Sequence, residues 1–143
     1  MDPTATLVKA TLTELDSLAS VSFLFNPSSY QVETRREFAS PPTVGGGLSG
    51  VQYARGGAQR LRARVFLDSG DTTTGVGTDL RSWLARVERW SVPGEETGLP
   101  PQVLFSWGTF RFRGVIEELV QEWVRFAPDG TPLRGWLDFV LRT

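Results

Sequence analysis

Two residue types that carry much of protein chemistry are missing from the sequence, which contains no cysteine and no histidine. Without cysteine there is no disulfide, no zinc–thiolate site and no thiol nucleophile. Without histidine, the commonest metal ligand and the usual general base near neutral pH are both missing. Ser-His-Asp triads and His-based zinc motifs are therefore excluded, and carboxylate pairs and arginines are the remaining candidates for chemistry.

Excess charge and long apolar runs are also lacking. The 15 basic residues nearly balance the 16 acidic ones, so the composition indicates neither a nucleic-acid partner nor a membrane surface. No run approaches the roughly 18 apolar residues of a membrane span. Residues 1–16 lack the apolar run and cleavage site of a signal peptide. We therefore expect a cytoplasmic protein that does not insert into a membrane.

Lysine is nearly absent, since Lys9 is the only one among 15 basic residues and the others are arginines. A GC-rich genome is the ordinary explanation. The functional explanation is that the planar, multidentate guanidinium suits subunit interfaces, and the two are compatible. The 143 residues form one domain by length, and the 15 glycines and nine prolines indicate many short elements.

Periodicity predicts a mainly β fold with one α-helix. Alternation predicts strands at 19–26, 30–38, 60–68, 102–107, 110–116, 118–126 and 133–141. An apolar stripe from Leu80 to Trp90 predicts the helix, with Thr74 or Thr78 as its cap, Asp79 in its first turn and Pro93-Gly94 after its end. Residues 4–16 fit either a strand or a short helix. These elements predict an antiparallel two-sheet sandwich or barrel with a packed helix.

A glycine-rich loop is predicted at 40–57, which includes Gly45, Gly46 and Gly47. A phosphate-binding loop needs a preceding strand, a following helix and, in the Walker form, a Gly-Lys-Ser/Thr ending, and none of these is present. Long loops in compact domains are usually functional or disordered. We interpret this one as a contact loop.

Three other groups of residues admit a functional interpretation, and for each the structural one is preferred. Asp68, Asp71 and Asp79 could hold calcium, but acids between a strand and a helix are ordinary capping groups. Glu117, Glu118 and Glu122 could supply a glycosidase-type pair, but they fit an exposed strand better. The five tryptophans could form a carbohydrate platform, but most fit a core. The sequence therefore predicts no catalytic residue, no metal and no cofactor.

Two stretches resemble a known family. The first is Phe25-Asn26-Pro27-Ser28-Ser29, and the second comprises Pro100-Pro101, Val103 to Gly108, Gly114-Val115-Ile116 and Phe126 to Arg134. Asp71-Thr72 before the helix adds to the pattern. In order and spacing they are similar to the tube-type N-terminal domain of the adaptor (tube-initiator) proteins of phage-tail-like contractile injection systems.

The resemblance implies a tail-tube fold that assembles into a homo-hexameric ring. Its expected partners are a trimeric spike protein, the inner-tube ring and other baseplate components. The implied function is a non-enzymatic, symmetry-adapting ring that joins the spike to the tube of a phage-tail-like particle. Members commonly continue into a LysM domain, whereas this sequence ends at Thr143, so a self-polymerising tail-tube or tail-completion protein remains an alternative. A small glycan-binding module is the alternative from another class.

Within the implied ring, strands of neighbouring subunits join around a lumen. We predict that polar strands and the arginine face of strand 60–68 form the lumen or the junctions between subunits. The candidate residues are Tyr30, Arg35, Arg36, Gly45, Gly46, Gly47, Tyr53, Arg60, Arg62, Arg64, Arg134 and Trp136.

Overall fold

The structure is a computed structural model that describes residues 7–36, 38–39, 52–53, 57–69 and 80–143. Within these residues the fold contains nine strands and one helix. Their bounds are β1 (Thr11–Glu14), β2 (Ser20–Ser22), β3 (Ser29–Thr34), β4 (Phe38–Ala39), β5 (Gln52–Tyr53), β6 (Gln59–Asp68), α1 (Leu80–Arg89), β7 (Val103–Trp107), β8 (Phe110–Phe126) and β9 (Pro132–Arg142).

Seven of the strands form one antiparallel sheet in the order β2-β1-β7-β8-β9-β6-β3, and β4 pairs with β5 separately. The prediction of a mainly β fold with one helix is therefore confirmed. The 17-residue strand β8 links the two halves of the sheet, because its first part pairs with β7 and the remainder with β9. The two predicted layers are thus the two halves of a single sheet.

Aromatic contacts show that the sheet folds over on itself. Tyr30 of β3 and Phe105 of β7 lie four strands apart in the sheet order, which is about 19 Å in a flat sheet with ~4.8 Å between strands. Their ring centroids are nevertheless 6.4 Å apart. Tyr30 also stacks on Phe110 of β8 at 4.8 Å. The half containing β3 therefore closes over the half containing β7.

The helix seals this fold from one side, as its apolar stripe predicts. Leu80, Leu84 and Val87 are buried, and so is Trp90 just after the last helical turn. Trp83 lies 5.5 Å from Phe23 between ring centroids. The proposed cap residues and Asp79 lie outside the described residues, as does most of the glycine-rich segment.

Most strand predictions are confirmed with adjusted bounds. Residues 4–16, left open between strand and helix, contain strand β1, and the long prediction at 19–26 shortens to β2. Val21 and Phe23 are buried, but the alternation ends there, because Phe25 is 48% exposed and contacts Phe66 on the other side of β6. Strand β3, which falls within the predicted strand 30–38, is the last strand of the sheet.

One prediction was wrong in an informative way. The separate strands expected at 110–116 and 118–126 are a single strand with a β-bulge at Glu117, because Ile116 lies opposite Leu141 and Glu118 lies opposite the next residue, Val140. Residues with even numbers face the core before the bulge, as buried Phe112 and Ile116 do, and odd-numbered ones such as half-buried Leu119 do so after it. A bulge adds one residue to one strand only, so the periodicity changes phase without a break in the strand.

Candidate assembly surface

The half-sheet β3-β6-β9-β8 has one face in the core and one face outside. On β6, Leu61, Ala63, Val65 and Leu67 are buried, so the residues between them point outward. The register with β9 brings the outward residues of the two strands side by side. Together they form a surface that we call the arginine face, which contains Arg60, Arg62, Arg64, Phe66, Asp68, Arg134, Trp136, Asp138, Val140 and Arg142.

Every arginine on β6 and β9 has a carboxylate partner within the chain. The nitrogen–oxygen distances are 3.2 Å for Arg60–Glu117, 4.0 Å for Arg62–Glu118, 3.8 Å for Arg64–Glu122, 3.1 Å for Arg64–Asp138, 3.1 Å for Arg134–Asp68 and 3.7 Å for Arg142–Glu117. These side chains are partly exposed, so each pair adds only up to ~1 kcal/mol. Their main consequence is a hydrated surface whose opposite charges offset each other.

The bulge at Glu117 supplies two of these carboxylates. In a regular strand consecutive residues point to opposite faces. Here both Glu117 and Glu118 reach the arginine face, where they pair with Arg60 and Arg62 respectively. The carboxylates considered above as a glycosidase pair therefore serve as partners of arginines.

A buried valine lies under one of these pairs. Val140 is only 2% exposed although it points away from the main core. It lies opposite Arg62 on one side and Glu118 on the other. The ion pair that joins these two side chains must pass over Val140, so their aliphatic stems shield it from water.

The arginine face ends in an aromatic cluster. Phe66 and Trp136 are 5.0 Å apart between ring centroids, and Phe25 lies 5.4 Å from Phe66. The Arg64 guanidinium carbon lies 4.4 Å from the centroid of the Trp136 ring, a cation–π contact. Trp136, one of the candidate residues, lies on the same face as Arg134 and Asp138.

The half-sheet has open edges on both sides within the described residues. Strand β3 pairs only with β6, and after Gly114 strand β8 pairs only with β9. The backbone N–H of Arg35 donates to Ala58 O, just before β6. The next residue, Gln59, lies opposite Thr34, but its backbone bonds to Thr143 and not to β3. This alternation turns the backbone groups of Tyr30, Val32 and Thr34 away from β6, toward the open edge.

The remaining candidate residues are more scattered. The Tyr30 side chain lies on the core side of β3, opposite the arginine face, and is 41% exposed. Arg35 follows β3 and pairs with Glu33 at 2.5 Å, and Arg36 is exposed beside it. The backbone of Tyr53 pairs with Phe38. Gly45, Gly46 and Gly47 lie outside the described residues.

The tryptophans do not form a carbohydrate platform. Trp90 is buried. The indole N–H groups of Trp83, Trp107 and Trp123 donate to Ser22 O at 3.0 Å, Val8 O at 3.1 Å and Gln121 Oε1 at 3.3 Å. Trp136 is covered on its ring face by Arg64. Trp83, Trp107 and Trp123 also pack against the core, whereas stacking on a sugar requires an open ring face, so this arrangement disfavours a glycan-binding module.

Among the described residues, no three metal-ligating side chains come together, and no helix is long and apolar enough to cross a membrane.

The sequence identified the arginines of the arginine face but not the carboxylates that pair with them. Glu118 and Glu122 share one face of β8, where they pair with Arg62 and Arg64. The ion pairs Arg64–Asp138 and Arg142–Glu117 depend on the register between strands. Alternation within one strand does not reveal that register.

Comparison with protein families gives a match over nearly the whole chain. The model of a family described as "Contractile injection system tube protein" matches residues 6–143. A search of curated proteins gives no match.

Proposed function

Because the chain belongs to the contractile injection system tube protein family, we propose that it forms a homo-hexameric ring in the baseplate that joins a trimeric spike to the inner tube. The family is one of structural tube proteins. In this role the chain is a non-enzymatic component of a phage-tail-like particle assembled in the cytoplasm. The observation that carries the proposal is the half-sheet with a hydrated outer face, whose two edges are both open among the described residues.

Strand directions support a ring made from identical subunits. The half-sheet has four strands, all antiparallel to their neighbours, so its edge strands β3 and β8 run in opposite directions. When neighbouring subunits have the same orientation along the ring axis, strand β3 of one subunit can therefore pair antiparallel with strand β8 of the next. Such head-to-tail contacts close into a ring when the rotation between neighbouring subunits returns to its starting point. They also satisfy edges that would otherwise favour aggregation.

The size of the resulting barrel fits a channel. Six half-sheets of four strands give a barrel of about 24 strands, far above the ~8 at which side chains still fill the interior. The arginine face then lines the lumen. The arginines of this face already form ion pairs with carboxylates of the same chain. We therefore expect the channel wall that a passing macromolecule contacts to be hydrated and to carry few unpaired charges.

The adaptor role is distinguished from a self-polymerising tube subunit by electron microscopy. The purified chain is imaged alone over a range of concentrations, and then with the trimeric spike protein and with the inner-tube protein. Single rings that cap the spike and start tubes only from the added tube protein support the adaptor. Long tubes from the chain alone identify the self-polymerising alternative.

The glycine-rich segment 40–57 is proposed to contact the adjacent ring. Deletion of residues 44–51 keeps Gln52–Tyr53, which pair with Phe38–Ala39, so the fold is expected to survive. Rings of the deletion variant should form but fail to start tubes, as counted by electron microscopy. Replacement of the same residues by a Gly/Ser linker of equal length is the control for loop closure. Tubes of normal number and length from the deletion variant would remove this assignment.

A further inference from the structure

A groove lies on the side of the molecule away from the arginine face. It has a volume of about 980 Å³ and lies between the end of α1, the β1–β2 turn and the segment 92–102. Its apolar lining includes Trp90, Val92 and Leu99, of which Val92 and Leu99 are 59% and 66% exposed. Exposed aliphatic side chains around a concave surface are typical of a binding site.

Charged residues of both signs line the groove. Arg86 and Arg89 come from α1, whereas Asp16, Glu95 and Glu96 come from the two loops. Within the described part of the chain, none of the five forms a side-chain hydrogen bond or an ion pair. The arginines of β6 and β9, by contrast, are all paired. The charges of the groove are therefore free for a partner.

The β1–β2 turn adopts an unusual conformation that hydrogen bonds to a buried carboxylate hold in place. Leu18 has a φ of 62° and is 70% exposed, although the left-handed region costs a leucine about 1 kcal/mol or more. The Glu14 carboxylate, 6% exposed, accepts hydrogen bonds from the Ser17 hydroxyl and from the N–H groups of Asp16 and Ser17. The Ser17 hydroxyl contributes most to lowering the Glu14 pKa below its ordinary value.

The opposite loop is also ordered by its own backbone. Gly94 N–H donates to Leu99 O and Gly98 N–H donates to Gly94 O, both at 2.9 Å. The Thr97 hydroxyl donates to Leu99 O at 3.1 Å. Both loops are thus formed before anything binds, which reduces the entropy lost on binding.

We infer that this groove binds a segment of a second protein that carries an aliphatic side chain between an acidic and a basic residue. The aliphatic side chain packs against Trp90 and Leu99. The acidic residue pairs with Arg86 or Arg89, and the basic residue pairs with Glu95, Glu96 or Asp16. This charge complementarity specifies the orientation of the segment as well as its composition. The inference rests on the proposed function only in placing the groove on the outside of the ring.

The probes are short synthetic peptides tiled across the other proteins of the same particle, each with a scrambled control. Binding to the full chain is measured by fluorescence polarisation. We expect a binding peptide of the stated pattern whose affinity falls at least ~10-fold with Arg89→Glu and with Glu95→Lys, because each reversal replaces an attraction by a repulsion. A peptide with the complementary charge reversed should recover binding to the matching variant.

The matched control is Arg113→Glu, which reverses an exposed arginine of β8 outside the groove and should leave peptide affinity unchanged. Three outcomes overturn the inference: no peptide binds above its scrambled control, binding is insensitive to both reversals, or the reversals change the oligomeric mass, which would make a second copy the occupant. Ring formation is scored in the same samples. Intact rings without peptide binding contradict this inference alone, whereas the absence of rings contradicts the proposed function.

Discussion

A Val32→Pro variant is expected to stay folded and to lose ring assembly. The backbone N–H of Val32 points away from β6, so proline removes no hydrogen bond of the ladder within the subunit. At the subunit junction the same change removes a donor and puts a pyrrolidine ring against the neighbouring strand β8. One lost hydrogen bond of about 1 kcal/mol per junction, together with this steric clash, should raise the concentration for half-assembly at least ~10-fold.

The measurement combines sedimentation velocity with thermal unfolding. Val32→Thr is the matched control, because it keeps the backbone N–H and a β-branched side chain, and it should assemble like the wild type. A Val32→Pro variant that unfolds at the wild-type temperature but sediments as a monomer supports pairing through β3. Normal rings from a folded Val32→Pro variant would show that this edge is not the junction.

Deletion of Val120 is expected to cost about 3 kcal/mol or more of folding stability. Val120 lies beyond the bulge and opposite Asp138, so without it residues 121–126 exchange faces relative to β9. Trp123, which packs against the core, would then point to solvent, and Glu122 would point inward. Loss of the bulge could restore the faces of residues 121–126, but it would turn Leu119 outward and Glu118 inward. Exposure of apolar groups together with burial of a charge is among the costliest changes a strand can undergo.

Glu117→Ala separates the phase of the strand from the ion pairs made at the bulge. This variant keeps the extra residue and loses only the ion pairs with Arg60 and Arg142, whose side chains are 30% and 51% exposed. Such pairs contribute up to ~1 kcal/mol each, so its free energy of unfolding in urea should stay close to that of the wild type. Equal losses in the two variants would mean that the ion pairs, and not the phase of the strand, account for the stability.

The same strand shows what the sequence could predict. Alternation placed both arms of β8 and the buried face of β6, because each pattern is local and has a period of two residues. The bulge at Glu117 shifts the alternation by one residue. In the sequence this shift resembles a break between two strands. From the sequence, two adjacent glutamates followed by apolar residues out of phase are the only sign of it.

The candidate surface was predictable in part for a similar reason. Arg60, Arg62 and Arg64 occur on one face of one strand, so alternation alone identifies them. Their partners lie 57 to 74 positions further along the chain in the hydrogen-bonded pairs Arg60–Glu117 and Arg64–Asp138. Such contacts depend on the register between strands, which only the folded sheet defines. The groove near Trp90 was missed because its residues come from three separate segments.

Native mass spectrometry of the chain, alone and mixed with the spike protein, tests the central claim most directly. The account predicts a hexamer, or a complex of six copies with a trimeric spike, and it predicts that Val32→Pro removes both species. A monomer in every sample, at concentrations where the wild-type chain is folded, would contradict the ring.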